Sequence, residues 1–365
     1  LQKLKRLGKK AAAIPLGHRR GVEALSALER RVSLAFSRDD EFGALFEELQ
    51  PDLVFNGSHV HGKIAIRPVQ AAQARGVPTA AFLFSWDNLT SQGRIIPPYD
   101  HYFVWNTAIA DQLRSIYPQV RPEQIEVTGT PQFDFHFRRE NLWSRQAYCH
   151  AVGADPSRPI VLYSTGMANH MPGEPELIRI LADTLASSSE RGSPQLIVRV
   201  YPKDQTGRFE PLKQQRPDIL FPRIPWEPRW QTPLPEDIPL LSNMLAHCEL
   251  GVNVASTVSL ELCMFDKPVI NLGFNPPGVP ESELSYARYY QFDHYKPIVE
   301  SGAVRVARTP EELSELVRRA FSHPEADREH RVTLLDRMFG PTLDGLGGRR
   351  IAEKLLELAR GHAAD

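Results

Sequence analysis

The residues best suited to chemistry stand at the end of an apolar stretch in the second half of the chain. Leu250–Ala255 is apolar and β-branched apart from Asn253. Ser256 and Thr257 follow it, and Glu261 comes one helical turn later. Hydroxyl and backbone N–H groups at a helix start bind phosphate, and open α/β sheets bind nucleotides at the carboxyl ends of their strands. The stretch therefore predicts a nucleotide site, with an ordinary turn and helix N-cap as the alternative.

Two other strand ends in this half carry residues that suit an anionic ligand. Thr165 and Gly166 form a small loop after one strand, and such a loop lets a diphosphate approach the backbone closely. The next strand ends with Arg199, Tyr201 and Lys203. Lys203 is placed to neutralise the charge of a departing phosphate. Each group has a structural alternative: a tight turn for the loop, and a solvated sheet face for Arg199, which alternates with valines.

Candidates for a general base lie in the first half of the chain, again where strands end. Six polar or aromatic residues follow two successive strands: Ser58, His59, His61, Trp86, Asp87 and Asn88. A helix start favours the neutral, basic form of an imidazole, which makes His59 and His61 candidate bases. Asp87 is slightly preferred over His59, and an Asx turn that caps the loop is its structural alternative. Trp86 can stack on a sugar ring, and Ser58 and Asn88 are further candidates for ligand binding at these strand ends.

Two successive series of strands and helices, joined near residue 140, position these groups. A chain of 365 residues fits about two domains. We predict an α/β protein with two Rossmann-like domains facing a central cleft. The first domain is placed at 1–140, with helices predicted at 61–75 and 107–116, and its expected first strand is not found in the sequence. A later helix is predicted to begin at Thr309-Pro310, with proline at its first position. A linker at 141–158 leads to a nucleotide-binding domain at 159–335, and a C-terminal helix within 336–365 is expected to pack back on the first domain.

The composition indicates a soluble globular protein whose main partner is not nucleic acid. Lysine and arginine total 43 against 44 acids, so the net charge is −1, and 42% of residues are hydrophobic. Cys149, Cys248 and Cys263 lack paired spacing, which indicates reduced thiols and no metal site. No apolar run reaches the length of a membrane span. We expect a cytoplasmic protein, and a basic cluster within residues 3–10 is a candidate contact with the inner face of a membrane.

Four phrases, taken in order and spacing, carry a resemblance to a known family. They are the phrases that begin with SWDN (Ser85–Asn106), GTPQFD (Gly129–Asp134), VRVYPKD (Val198–Asp204) and VNVASTVSLELCMFDKPVI (Val252–Ile270). Together they resemble GT-B glycosyltransferases, and more narrowly the bacterial surface-polysaccharide and CDP-glycerol-transferase-like enzymes. The resemblance covers about residues 50 to 320.

The resemblance implies that the second domain holds the donor nucleotide and the first holds the acceptor, so Ser58, Trp86 and Asn88 are assigned to acceptor binding. Ser256 and Thr257 would then contact the donor phosphates, and Glu261 would accept hydrogen bonds from the ribose hydroxyls. Related enzymes often have His-Pro where this chain has Tyr201-Pro202, which weighs against a histidine role there. Asp134 matches a common position near the interdomain hinge, where we expect a structural role. GT-B enzymes usually work without a bound metal ion, so no metal and no cofactor are predicted.

The predicted function is inverting, metal-independent transfer of a sugar from a UDP- or CMP-linked donor to a glycan or lipid-linked acceptor in surface polysaccharide synthesis. Three alternatives stay open: a CDP-polyol phosphotransferase, a UDP-sugar 2-epimerase and a non-catalytic nucleotide- or sugar-binding scaffold. The epimerase is disfavoured because the fuller set of acids and histidines of that family cannot be placed in this sequence.

Overall fold

The computed structural model describes residues 13–35, 40–58, 60–187 and 193–364. The chain divides into two units: unit 1 comprises residues 1–130 and 346–365, and unit 2 comprises residues 131–345. His59, a predicted base, lies outside the described residues, as does the basic cluster at 3–10.

Unit 1 is built on a four-stranded parallel sheet. Its strands, which are neighbours in chain order, are β1 (Val54–Asn56), β2 (Thr79–Phe82), β3 (His101–Val104) and β4 (Ile125–Val127). The helices of this part are α1 (Arg19–Ala35), α2 (Asp40–Leu49), α3 (Ile66–Ala74), α4 (Asn88–Ser91) and α5 (Thr107–Ile116). Parallel pairing puts the carboxyl ends of all four strands at one edge, so the loops after β1 and β2 begin at the same edge.

Local sequence signals set the bounds of two of these helices. The Asn106 side chain accepts a hydrogen bond from the Ile109 N–H at 2.8 Å and starts α5 where the sequence predicts it. Gly76 follows α3 with φ +72°, a left-handed conformation that glycine adopts without strain. The helix predicted from His61 starts later, because Lys63–Ala65 forms a 3₁₀ turn and the α-helix begins at Ile66.

Unit 2 is built on a five-stranded parallel sheet in the order β11–β10–β9–β5–β6. These strands are β5 (Ile160–Ser164), β6 (Gln195–Arg199), β9 (Leu250–Asn253), β10 (Val269–Leu272) and β11 (Arg305–Ala307). A short antiparallel hairpin, β7 (Trp226–Glu227) with β8 (Thr232–Pro233), lies between β6 and β9 in the chain. The helices are α6 (Arg145–Val152), α7 (Glu174–Ser187), α8 (Glu210–Gln215), α9 (Asp237–His247), α10 (Val258–Met264), α11 (Lys296–Glu300), α12 (Pro310–Ser322) and α13 (Arg328–Phe339).

The core of unit 2 packs helices tightly on the sheet. Strands β5, β6 and β9 are buried on both faces, as expected for a parallel sheet covered by helices. A Cβ added to Gly251 would lie 2.1 Å from Leu262 Cδ1, so glycine lets α10 lie directly against β9.

Sequence periodicity missed several short or weakly patterned helices, among them α4, α8 and α11. The stretch 141–158, predicted as linker, contains α6, which Ser144 caps by accepting the Ala147 N–H at 3.2 Å. Helix α13 was not predicted. Helix α14 (Gly347–Ala364) belongs to unit 1, where Arg350 donates to the Thr128 carbonyl at 2.8 Å.

Candidate functional site

The turn after β9 is held in a strained conformation. Ala255 has φ +42°, in the left-handed region that a residue with a Cβ rarely adopts. The Asn253 side-chain oxygen accepts the Ser256 N–H at 3.1 Å, and the Ser256 hydroxyl accepts the Val258 N–H at 3.3 Å. Ser256 therefore supports the start of α10, while Thr257 at the N-cap position makes no side-chain cap. Strain of this kind persists only where surrounding contacts hold it, and it clusters at functional sites.

A buried polar network underneath supplies those contacts. Asn271 donates to the Asn253 oxygen at 2.9 Å, and the Tyr295 hydroxyl donates to Asn271 at 2.7 Å. Ser259 bonds both Asn253 and Tyr295, at 3.1 and 3.0 Å. A fully satisfied buried network is rigid. It fixes the strand end from which Ser256 and Thr257 project.

Glu261 is buried and bonded to a histidine that the sequence did not single out. Its Oε2 lies 2.9 Å from His136 Nε2, and His136 Nδ1 lies 3.0 Å from the Ser242 hydroxyl. A neutral imidazole that donates Nε2–H to the carboxylate accepts the Ser242 O–H hydrogen bond at Nδ1, and this tautomer satisfies both partners. The alternative of an exposed helix acid is wrong, because the Glu261 side chain is only 8% exposed.

Arg199 points into the protein and is paired there. Its two terminal nitrogens lie 2.8 and 2.6 Å from the two carboxylate oxygens of Asp237, in the first turn of α9. Both side chains are buried, so the solvated sheet face considered for Arg199 is wrong. The pair joins β6 to α9, and the guanidinium fork is occupied by the protein's own carboxylate.

The loop after β5 is closed by a buried acid. The Gly166 N–H, which a diphosphate would use, donates to Glu174 at 2.9 Å. Glu174 also accepts from Tyr163 at 3.2 Å and from Arg208 at 2.9 Å. Burial raises the pKa of Glu174 to about 7. The Thr165 hydroxyl is likewise engaged, since it accepts a backbone N–H.

The backbone N–H of Tyr201 donates to the Thr165 hydroxyl at 2.8 Å. Tyr201 also lines a cavity of about 410 Å³ within unit 2. Aromatic side chains of Phe221 and Trp226 also line this cavity. Lys203, predicted to neutralise phosphate, is exposed in the turn after β6. Of the predicted donor-binding residues, only Thr165 and Tyr201 are shown bonding to each other. Arg199 pairs with Asp237, and Glu261 pairs with His136.

In unit 1, the loop after β2 uses its polar groups on itself. The Asp87 carboxylate accepts from the hydroxyls of Ser85 and, at 2.7 Å, Ser91. The Asn88 oxygen accepts the Ser85 N–H at 3.0 Å. Trp86 is 8% exposed, which leaves little of its ring open to a sugar. These contacts match the loop-capping alternative considered for Asp87.

His61 differs from its neighbours because its ring is unsatisfied. Neither ring nitrogen has a hydrogen-bond partner among the described residues, although both are buried. Burial lowers the pKa of His61 from its usual 6.5, and the Gly93 backbone and the Asp87 charge oppose this. The imidazole is thus neutral at pH 7 and has a free lone pair. Ser58, at the other end of the β1 loop, is exposed, and its N–H donates to Asn56 at 3.3 Å.

Sequence reasoning placed the candidate residues at strand ends but missed the side chains that bond to them. His136, Asp237, Glu174 and Arg208 each bond a predicted site residue, and Ser242 bonds His136. A signal existed for two of them, since Asp237 and Glu174 are acids in the first turn of a helix. The other three had none.

No protein-family model and no curated protein matches the chain. Solved structures do. UDP-GlcNAc 2-epimerase from Neisseria meningitidis, bound to UDP-GlcNAc, has a TM-score of 0.55 at 12% identity, covering 87% of this chain and 80% of that one. The glycosyltransferase from Rickettsia africae has 0.51 at 11%, covering 89% and 80%. The fold is of the GT-B type.

A third structure agrees with this: UDP-GlcNAc 2-epimerase from Methanocaldococcus jannaschii has a TM-score of 0.52 at 15% identity, covering 87% of this chain and 80% of that one. The predicted fold class, a GT-B-type α/β protein with parallel sheets, is confirmed. Within the described ranges, no group of three or more His, Cys, Asp or Glu side chains is arranged to hold a metal ion. No described helix is long and apolar enough to cross a membrane.

Proposed function

We propose that the protein is an enzyme that binds a nucleotide-sugar at the carboxyl edge of unit 2. The observation that carries the proposal is the strained turn after β9, held by the buried Asn253 network, with Ser256 and Thr257 at the start of α10. A preorganised turn with N–H and hydroxyl donors suits a phosphate. Glu261, oriented by His136, keeps its second carboxylate oxygen for a ribose hydroxyl.

We further propose glycosyl transfer, with a UDP- or CMP-linked donor and a glycan or lipid-linked acceptor. His61 is the preferred general base, because its ring is neutral and unpartnered, whereas both Asp87 oxygens accept hydroxyl hydrogen bonds. The acceptor hydroxyl gives its proton to His61, its oxygen bonds to the anomeric carbon, and the bond to phosphate breaks with inversion. The nucleotide leaves with the bonding electrons. A peripheral membrane contact through the amino end belongs to the same proposal.

Epimerisation is the second candidate. Two of the three structures above are UDP-GlcNAc 2-epimerases, and the Neisseria meningitidis enzyme is bound to UDP-GlcNAc. An epimerase inverts the configuration at carbon 2 without an acceptor. Proton NMR of UDP-GlcNAc with the enzyme alone separates the two candidates, because epimerisation changes the coupling between the protons on carbons 1 and 2, while a transferase leaves it unchanged.

A thermal-shift screen of UDP, CMP, CDP, GDP and TDP tests the donor site. A ligand that binds only the folded state raises the melting temperature. We expect at least one nucleotide to do so, and we expect Ser256→Ala to reduce that rise. Thr309→Ala is the matched control, since Thr309 caps α12 in the same unit by accepting the Glu312 N–H at 3.2 Å. It should lower the melting temperature and keep the nucleotide effect. No shift with any nucleotide contradicts the proposal.

His61→Ala tests the base. We expect kcat to fall about 10²- to 10⁴-fold, the usual contribution of general base catalysis, with an unchanged nucleotide shift. Because burial lowers the pKa of His61, the wild-type kcat/KM should fall towards acid pH as the imidazole gains a proton, with its midpoint below 6.5. Full activity in His61→Ala contradicts this assignment and returns the role to Asp87 or His59.

A further inference from the structure

A second cavity, in unit 1, is lined by two arginine side chains. It has a volume of about 390 Å³ and lies between α1, which contributes Arg30, and the loop that carries Arg94. Ligand pockets for small molecules begin at about this size. The cavity is separate from the residues assigned above to the donor and to the base.

Arg94 is incompletely satisfied in this position. Its guanidinium stacks on the Tyr117 ring at 4.6 Å from the centroid. Its Nε is buried without a hydrogen-bond partner among the described residues, and one terminal nitrogen reaches the Ile116 carbonyl only at 3.5 Å. A buried N–H of a charged group without an acceptor costs stability. The geometry therefore leaves Arg94 short of an acceptor.

The described residues supply no counter-ion for either arginine. Arg30 is half-buried, and no described carboxylate forms an ion pair with Arg30 or Arg94. The acid that lines the cavity, Glu23, is exposed and pairs with Arg19 at 3.1 Å. Two guanidinium groups without a carboxylate partner favour an anion, and a guanidinium fork matches phosphate oxygens.

The rest of the lining suits an organic group attached to that anion. The Tyr117 hydroxyl accepts the Ile95 N–H at 2.8 Å, which leaves its own proton to donate. Ile95, Ile96 and Pro118 form an apolar wall. We propose that this cavity binds the phosphate group of an organic phosphate, with Arg30 and Arg94 as its cationic ligands. The inference goes beyond the donor proposal, because the site lies in unit 1 and is tested by binding alone.

The test measures the melting temperature of the full chain with inorganic phosphate or glycerol 3-phosphate, against sodium chloride at matched ionic strength. We expect both phosphates to raise it, and the ester to act at lower concentration because it also contacts the apolar wall. Arg30→Gln and Arg94→Gln should each remove most of the rise, and any remainder belongs to the turn at Ser256. Arg31→Gln is the matched control, because Arg31 is the next residue of α1 and is exposed. It should retain the rise.

Two further arms make the outcome decisive. Ser256→Ala should keep the part of the phosphate effect that Arg30→Gln removes, which separates this cavity from the donor site. Sedimentation with vesicles of phosphatidic acid, compared with phosphatidylcholine, identifies a lipid as the source if binding needs both arginines. Should Arg94→Gln fold poorly, Arg30→Gln on the helix surface gives the same readout. The proposal is overturned if neither phosphates nor vesicles bind, or if both arginine variants bind as the wild type does.

Discussion

The two units differ in the pairing of the polar side chains that bear on their candidate sites. In unit 2, the groups at the carboxyl edge of the sheet are closed into pairs: Arg199 with Asp237, and Glu261 with His136. In unit 1, both ring nitrogens of His61 and the Nε of Arg94 are buried and unpartnered within the described residues. Paired groups rigidify the backbone that carries them, whereas unpartnered groups stay available to a ligand or a proton.

This difference suggests a division of labour. In unit 2 the paired side chains hold the turns in place, so that a ligand binds to a preorganised backbone. The unpartnered groups of unit 1 cost the protein stability and remain available to a ligand or a proton. Stability measurements test this difference, because removing or restoring the partner of a buried polar group has a predictable effect on the free energy of unfolding.

The largest effect is expected from opening the buried ion pair of unit 2. Arg199→Met leaves the Asp237 carboxylate buried and unpaired, which should lower the free energy of unfolding by about 3–5 kcal/mol in urea denaturation. The double variant Arg199→Met, Asp237→Leu should recover most of this. Arg179→Met removes an exposed pair with Glu176 and should cost no more than about 1 kcal/mol. Equal costs for the two single variants would contradict the closed-network description.

Glu174 should make the stability of unit 2 depend on pH. Its folded pKa of about 7 exceeds the usual 4.5, so the folded state holds the proton more tightly. The stabilisation is therefore complete below pH 4.5 and is lost as pH rises through 7, by about 3 kcal/mol. Glu174→Gln should remove this slope in denaturation curves recorded across that range. Glu176→Gln, on the same helix, should retain it; a retained slope in Glu174→Gln rules out the assignment.

His136→Ala should open the Glu261 network. It leaves the carboxylate and the Ser242 hydroxyl without their partner, and we expect a loss of about 1–3 kcal/mol. His136→Gln preserves an N–H donor toward Glu261 and should cost less. The nucleotide-induced melting shift should weaken in the alanine variant and return partly in the glutamine variant. The same shift in all three proteins would mean that His136 does not position Glu261 for the ligand.

The smallest effect is expected in unit 1. His61→Leu removes ring nitrogens that have no described partner, so the free energy of unfolding should change by no more than about 1 kcal/mol. Urea denaturation beside His136→Ala makes the comparison direct, since both residues are histidines with little exposed ring nitrogen. A cost in His61→Leu as large as that of His136→Ala would show that His61 is structural.

Much of the fold was predictable because its signals are local. The helix Thr107–Ile116 was predicted at its observed bounds, and the Thr309-Pro310 start of α12 was confirmed, since Thr309 accepts the Glu312 N–H. Irregular stretches were less predictable. The 3₁₀ turn at Lys63–Ala65 and the hairpin β7–β8 have no periodic pattern, because each is too short to show one.

The candidate site residues show the same division between local and long-range information. Which residues stand at strand ends could be read from the sequence, because alternation of apolar residues, small-residue turns and helix caps depends on a few neighbouring residues. Only the tertiary structure decided what those residues touch. Glu261 meets His136 across 125 positions of the chain, and Arg199 meets Asp237 across 38. Such pairs form when packed helices and strands bring distant side chains within 3 Å and exclude water between them, and no local pattern encodes that distance.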